Sequence, residues 1–258
     1  MRHRARKRFG QNFLVDEASI AAIIEAINPT RGECVVEIGP GLGALTRPLI
    51  ERLDHLHVVE IDRDLALGLR AEFPAQRVTV HEQDALDFDF AVLGNAIRVV
   101  GNLPYNISTP LLFHLARSAA VIRDLHVMLQ REVVERMVAR PSSSEYGRLS
   151  VMIQYRFELE PLMIIPGAAF RPAPKVESAI VRMMPFSRLP HRAQDEAWLS
   201  RIVTAAFSQR RKTLRNALKG HLSADDFHEL GIDASRRPQE LAVSEFVRLA
   251  DHAAVHRA

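Results

Sequence analysis

The stretch CVVEIGPGLGALTRPLIER, residues 34–52, joins an apolar run to a helix-like segment through a loop of closely spaced glycines. Cys34 to Ile38 is rich in Val and mostly lacks polar alternation, which is how a strand buried on both faces of a parallel sheet reads. Ala44 to Arg52 repeats its apolar residues at three- and four-residue spacing, the period of a helix packed on such a sheet. Between them Gly39, Gly41 and Gly43 let the backbone approach a ligand with no Cβ in the way. Strand, glycine loop and helix together open a βαβ unit whose ligand lies at the carboxyl end of the strand.

Working outward, the same alternation recurs. His57 to Ile61, Arg77 to Val80, Ile97 to Val100 and Leu125 to Leu129 read as further buried strands, with Asp64 to Glu72 and Thr109 to Arg117 as crossover helices. Glu158 to Ile165 and Val176 to Met184 are two more strand candidates, separated by a Pro-rich loop and able to close the sheet as an antiparallel pair. After the turn-forming PFSRLPH (185–191) the pattern is helical: Trp198 to Phe207, Lys212 to Lys219, Ala224 to Glu229 and Val243 to His252. The expected organisation is an α/β domain over residues 1–188, opening with a basic segment (1–14), followed by a small all-α domain over 189–258.

The composition sets limits. At 258 residues and 47% hydrophobic, the chain can build one large core with a small appended domain. A net charge of only +3 means that any nucleic-acid argument rests on where the basic residues cluster. The single cysteine, Cys34, cannot form an internal disulfide and suits a reducing cytoplasm. The basic N-terminus meets Asp16-Glu17 after only Phe13-Leu14-Val15, so no secretory signal is expected; no run approaches the ~20 apolar residues of a membrane span. The histidines are scattered without ligand spacing, and no metal site is expected.

Chemistry gathers at the strand ends. Glu60 ends the second strand, about twenty residues beyond the first glycine, where a carboxylate accepts both ribose hydroxyls of a nucleoside. Asp84 ends the third, where an acceptor meets an adenine amino group. The loop is G-x-G-x-G, with no Ser, Thr or Lys following as in a phosphate loop, so S-adenosylmethionine fits better than a dinucleotide. The fourth strand ends in Asn102-Leu103-Pro104-Tyr105, which contains no nucleophile and no general base. Such a tetrapeptide suits methylation of an adenine amine, a poor nucleophile because its lone pair is delocalised into the ring. The Asn102 side chain and the Leu103 backbone oxygen hold the amine hydrogens and aim the lone pair; Pro104 stiffens the turn, and Tyr105 offers a ring on which the base stacks.

Seven stretches in order resemble the small-subunit (16S) ribosomal RNA adenine N6,N6-dimethyltransferase family: RKRFGQNFL (6–14), VEIGPGLGALT (36–46), VVEIDRDL (58–65), QDAL (83–86), GNLPYNIST (101–109), FRPAPKVESAIVR (170–182) and FSQRRKTLRNAL (207–218). The resemblance implies a Rossmann-like S-adenosylmethionine-dependent methyltransferase with a mainly parallel seven-stranded sheet. It implies transfer of two methyls to each of two adjacent adenosines in a hairpin loop near the 3′ end of small-subunit rRNA, late in assembly of the immature 30S subunit. On that basis cofactor contacts fall on Asn12, Leu14, Gly39, Glu60, Asp84 and Asn102, with Gln11, Gly41, Ile61 and Ala85 beside them, and Phe170 sandwiches the target adenine against Tyr105.

Two basic clusters suit RNA. Arg6, Lys7 and Arg8 belong to an N-terminal arm expected to order with cofactor and RNA. Residues 197–224 hold Arg201, Arg210, Arg211, Lys212, Arg215 and Lys219 with no acid; on one helix Arg211 and Arg215 share a face with Lys212 and Lys219, repel one another, and call for a polyanion. Lys175, beyond the Pro-rich bend after Phe170, sits near phosphate in the same reading. The expected state is a cytoplasmic monomer. The competing readings are a large-subunit (23S) rRNA methyltransferase, a noncatalytic RNA-binding assembly factor, and a dinucleotide oxidoreductase.

Overall fold

The computed structural model describes Arg6 and residues 11–255. In chain order its first elements are β1 (Phe13–Leu14), α1 (Glu17–Ile27), β2 (Val35–Ile38), α2 (Thr46–Arg52), β3 (Leu56–Glu60), α3 (Arg63–Glu72), β4 (Val78–Glu82), β5 (Ile97–Asn102), α4 (Ser108–Arg117) and β6 (Ile122–Gln130). They continue with α5 (Arg131–Val138), α6 (Arg148–Arg156), β7 (Phe157–Ile165), β8 (Phe170–Arg171), β9 (Ser178–Pro185), α7 (Glu196–Ser208), α8 (Leu214–Ala217), α9 (Ala224–Glu229) and α10 (Val243–Val255).

Seven strands form one sheet in the order β4-β3-β2-β5-β6-β9-β7. The first five neighbours run parallel, and β9 lies antiparallel to β6 from Leu125↔Met183 to Gln130↔Ser178. From β2 the chain builds outward through β3 and β4, then returns to lay β5 on the other side. That reversal between β2 and β5 opens a crevice at their carboxyl ends, where ligands of such sheets bind.

A charged residue in the central strand needs an explanation. Arg98 of β5 is buried, yet its guanidinium donates to Asp124 (3.0 Å), Glu33 (2.8 Å) and the backbone oxygen of Ile27 (2.7 Å). Removing it takes the principal partner from Asp124, a loss of about 3–5 kcal/mol for a broken buried pair, while Glu33 keeps Arg123 at 2.7 Å. This network locks the amino end of β5, opposite to the end that carries Asn102.

The chain divides into two compact units, Met1–Val134 with Leu159–Pro185, and Glu135–Glu158 with Phe186–Ala258. The sequence reading kept 135–158 with the sheet; these residues group instead with the C-terminal helices. There Tyr146, Tyr155, Phe227 and Phe246 are buried with Leu199, Ile202 and Val203, and rings of Tyr146, Phe207 and Phe246 follow one another at centroid distances of 6.3 and 5.7 Å. Tyr146, Val151 and Tyr155, with Met152 against them, find their burial in that core, which no local pattern announced.

A second correction concerns the expected helix Lys212 to Lys219. Only Leu214–Ala217 is helical, and Arg210, Arg211 and Lys212 lie exposed in the turn between α7 and α8. Thr213, extended at φ −65° and ψ 160°, caps α8 and breaks the helix there. The shared basic face is therefore not formed, although Arg210, Arg211, Lys212, Arg215 and Lys219 are all exposed. No helix among the described residues is long and apolar enough to cross a membrane.

Candidate active site

The site grows from the β2–β5 crevice. Gly39 leaves β2 by donating its backbone N–H to the Val59 oxygen at 2.9 Å, which turns the loop along the rim of β3. At Gly41 the backbone is left-handed (φ 58°) and a Cβ would lie 3.1 Å from the Phe13 ring, so the N-terminal segment crosses directly over the glycine loop. The tightest approach is between strands. Gly101 has φ 152°, and a Cβ there would stand 2.3 Å from the Ile38 backbone oxygen. Only glycine lets β5 lie this close to β2, and the residue it delivers to the rim is Asn102.

Asn102 is held from the far side of the crevice. Its Nδ2 donates to the backbone oxygen of Asn12 at 3.0 Å, while its Oδ1 is buried without a hydrogen-bond partner. A buried acceptor left open costs on the order of 1–3 kcal/mol, and such a group in a cavity wall marks a place where a donor is received. Tyr105, half-buried, keeps its hydroxyl 2.5 Å from the Ser178 Oγ, so its ring is tethered at the edge of β9.

Two adjoining cavities, of about 750 and 710 Å³, open along this rim and share Gly39, Glu60, Ile61 and Pro104. The first takes in Gln11, Asn12, Leu14, Gly41 and the tetrapeptide Asn102 to Tyr105; the second takes in Asp84 and Ala85. Each residue expected to touch the cofactor thus lines one or both.

Glu60 is buried, accepting from the backbone N–H of Asp62 (2.8 Å) and of Gly41 (3.3 Å); burial pushes its carboxyl up, against those hydrogen bonds. Asp84 accepts from the N–H of Leu86 at 2.9 Å. The sequence reading missed Glu37, which also lines the first cavity, accepts from the Thr46 hydroxyl at 2.7 Å, and is pushed up to about 7 by burial. Its only signal was an acid in an otherwise apolar strand, two residues before the first glycine of the loop.

Other expected residues go elsewhere. Phe170 is fully buried and lines neither cavity: the antiparallel ladder of β1 with β8 sets it opposite Leu14, within the apolar cluster that includes Val100, Met128 and Ile180. It is not a stacking plate in this conformation. Arg6, expected on RNA, pairs with Asp62 at 2.8 Å and with Asp64, and its backbone N–H donates to Gln11. Lys175 is exposed; Lys7 and Arg8 lie outside the described residues. Among the described residues no three His, Cys, Asp or Glu are grouped to hold a metal ion.

The electrostatics select a ligand class. The walls contain Glu37, Glu60 and Asp84, and no Lys, Arg or His among the described residues. Such a site disfavours a pyrophosphate and favours a cation.

A mostly parallel sheet of this order, with a glycine loop and acids on its successive strand ends, defines a Rossmann-like methyltransferase. Residues 2–254 match the family described as ribosomal RNA adenine dimethylase, and the chain belongs to that family. It is similar to the ribosomal RNA small subunit methyltransferase A of Aromatoleum aromaticum, 61% identical over 98% of this chain and 95% of that one. The protein of the same description from Nitrosospira multiformis is 57% identical over 98% of this chain and 97% of its own. Among solved structures, a dimethyladenosine transferase from Plasmodium falciparum shares the fold, with TM-score 0.78 and 22% identity over 92% of this chain and 95% of that chain.

Proposed function

We propose that this chain transfers methyl groups from S-adenosylmethionine to the exocyclic amines of two adjacent adenosines in the 3′-terminal hairpin loop of small-subunit (16S) rRNA, acting on the immature 30S subunit in the cytoplasm. Family membership supports the adenine chemistry, and the names of the relatives favour the small subunit over the large one. The observation that carries the reading is the partnerless, buried Oδ1 of Asn102 in the wall of an anionic cavity.

The residues present fit the donor. Glu60 accepts from the ribose hydroxyls and Asp84 from the adenine amine, while the acidic walls favour the positive charge. When bound, S-adenosylmethionine supplies a methyl group on a sulfonium, an electrophile needing no further activation. The chain's own task is then orientation. Asn102 Oδ1 and the Leu103 backbone oxygen accept the two hydrogens of the target amine, drawing the nitrogen toward a tetrahedral shape with its lone pair on the methyl. Tyr105 stacks on the unpaired base, worth ~1–3 kcal/mol. Once the new N–C bond has formed the amine gives one proton to solvent, and a single amine hydrogen remains for Asn102 to hold. The exposed turn Arg210 to Lys212, with Arg215 and Lys175, meets phosphates.

The deciding experiment maps methylated nucleotides after incubating this protein and labelled S-adenosylmethionine with immature small and large subunits. Label on two adjacent small-subunit adenosines supports the reading. Label on large-subunit RNA, or none, overturns it.

A further inference from the structure

Glu37 is the one acid of the first cavity to which the mechanism gives no task. It lies within β2, between Val36 and Ile38, only 2% exposed, so its carboxyl has left water almost completely. The partner that compensates is a single neutral hydroxyl, Thr46 of α2, donating at 2.7 Å to Oε2. The other groups along that wall are Glu60 of β3, the amide of Asn102 on β5, and the amides of Gln11 and Asn12 from the N-terminal segment. None of them is a cation. A buried carboxyl beside a second carboxylate, with no counter-charge, retains its proton to unusually high pH; burial, with Glu60 adding, places this one at about 7.

The donor assigned above carries a sulfonium and an ammonium, and on that assignment the inference rests. Placing this positive charge in the same cavity supplies the counter-ion that the described residues lining it do not. We propose that Glu37 is a proton-linked counter-ion for the methyl donor: a carboxylic acid in part of the population before the donor binds, it releases its proton to solvent and becomes a carboxylate when the donor's cationic end enters. The step balances as one O–H bond broken at Glu37 and one proton gained by water or buffer. Glu37 is a positioning residue; it abstracts nothing from the target base.

Titration calorimetry of S-adenosylmethionine binding, in two buffers of different ionisation enthalpy, counts the protons released by the wild-type chain. At pH 7 a group half-protonated before binding gives about half a proton per donor bound. Affinity rises toward tenfold per pH unit below about 7 and levels off by about pH 8. Loss of the infrared band of a protonated carboxyl on donor binding reports the same event without any variant. Glu37→Gln removes both the band change and the part of the pH slope due to Glu37, and binds the donor more weakly at pH 8; its thermal midpoint shows that it is folded. The inference is overturned if the wild type binds the donor with unchanged affinity from pH 6 to 8 and no proton release, or if the Glu37→Gln chain keeps the full slope. Failure to bind the donor at any pH overturns the cofactor assignment itself, and this inference with it.

Discussion

The amide of Asn102 is oriented by a main-chain atom ninety residues earlier, the backbone oxygen of Asn12, 3.0 Å from Nδ2. That bond decides which end of the amide is left to receive a donor. Asn102→Ala therefore lowers methyl transfer by on the order of 10² to 10³, the loss found when one preorganised polar group is deleted from a reacting centre, with only a modest change in cofactor affinity. Single-turnover methylation and calorimetry on one preparation separate the two effects. Near-normal turnover removes Asn102 from the mechanism.

The β2–β5 approach predicts a folding defect. Gly101→Ala forces a Cβ to within 2.3 Å of the Ile38 oxygen at φ 152°, costing more than about 3 kcal/mol in urea unfolding. Gly32→Ala is the control. Its φ is +81° but nothing lies within 4 Å of a Cβ there, so about 1–2 kcal/mol of backbone strain is the whole penalty.

Three histidines on β3 and β4 and the turn before them make stability sensitive to acid. His57 Nδ1 and His81 Nε2 are 3.2 Å apart, His55 stacks edge-on to His57, and burial with these neighbours pushes His57 down to about 4. Unfolding returns the imidazole to its ordinary value of 6.5, so the unfolded chain binds protons that the folded one refuses. The contribution is complete above pH 6.5 and disappears as pH falls toward 4. Denaturation midpoints at pH 7 and pH 5 check this: His57→Gln narrows the difference between them, and an equal difference in both chains excludes His57 as the source.

The exposed turn between α7 and α8 gives a salt-dependent prediction. Replacing Arg211 and Lys212 by Gln reduces the slope of log affinity against log salt for small-subunit RNA by about 1.4 to 1.8, at ~0.7 to 0.9 per phosphate contact. Cofactor affinity is unchanged, since neither residue lines either of the two cavities along the β2–β5 rim. An unaltered slope assigns the phosphates to other cations.

Much of the sheet was legible because strands buried on both faces write dense Val- and Ile-rich runs, broken in Val35–Ile38 by Glu37 alone and in Ile97–Val100 by Arg98 alone. Helix α1 was overlooked despite Asp16, whose carboxylate accepts from the Ser19 N–H, and despite Ile20, Ile23, Ile24 and Ile27 at helical spacing. The basic arm before it drew the reading toward charge. Phe170 was misplaced for a different reason. Its burial depends on a two-residue ladder between segments over 150 positions apart, and no periodicity registers a partner at that range. Glu37 went unnoticed because an acid inside an apolar strand gives no local sign of whether water reaches it. The basic residues near 212 are all exposed, yet their helical face was drawn through Thr213, where the backbone is extended.

Adenosine circulates in a cell mostly as nucleotides, and any pocket that recognises the nucleoside has to turn those molecules away. Under the proposed assignment, walls carrying Glu60 and Asp84, with Glu37 where it is ionised and no basic side chain among the described residues, do so by repulsion. A phosphorylated competitor would meet the ribose and adenine acceptors proposed here but bring the wrong sign of charge, so the proposed donor is favoured without a closer fit to it.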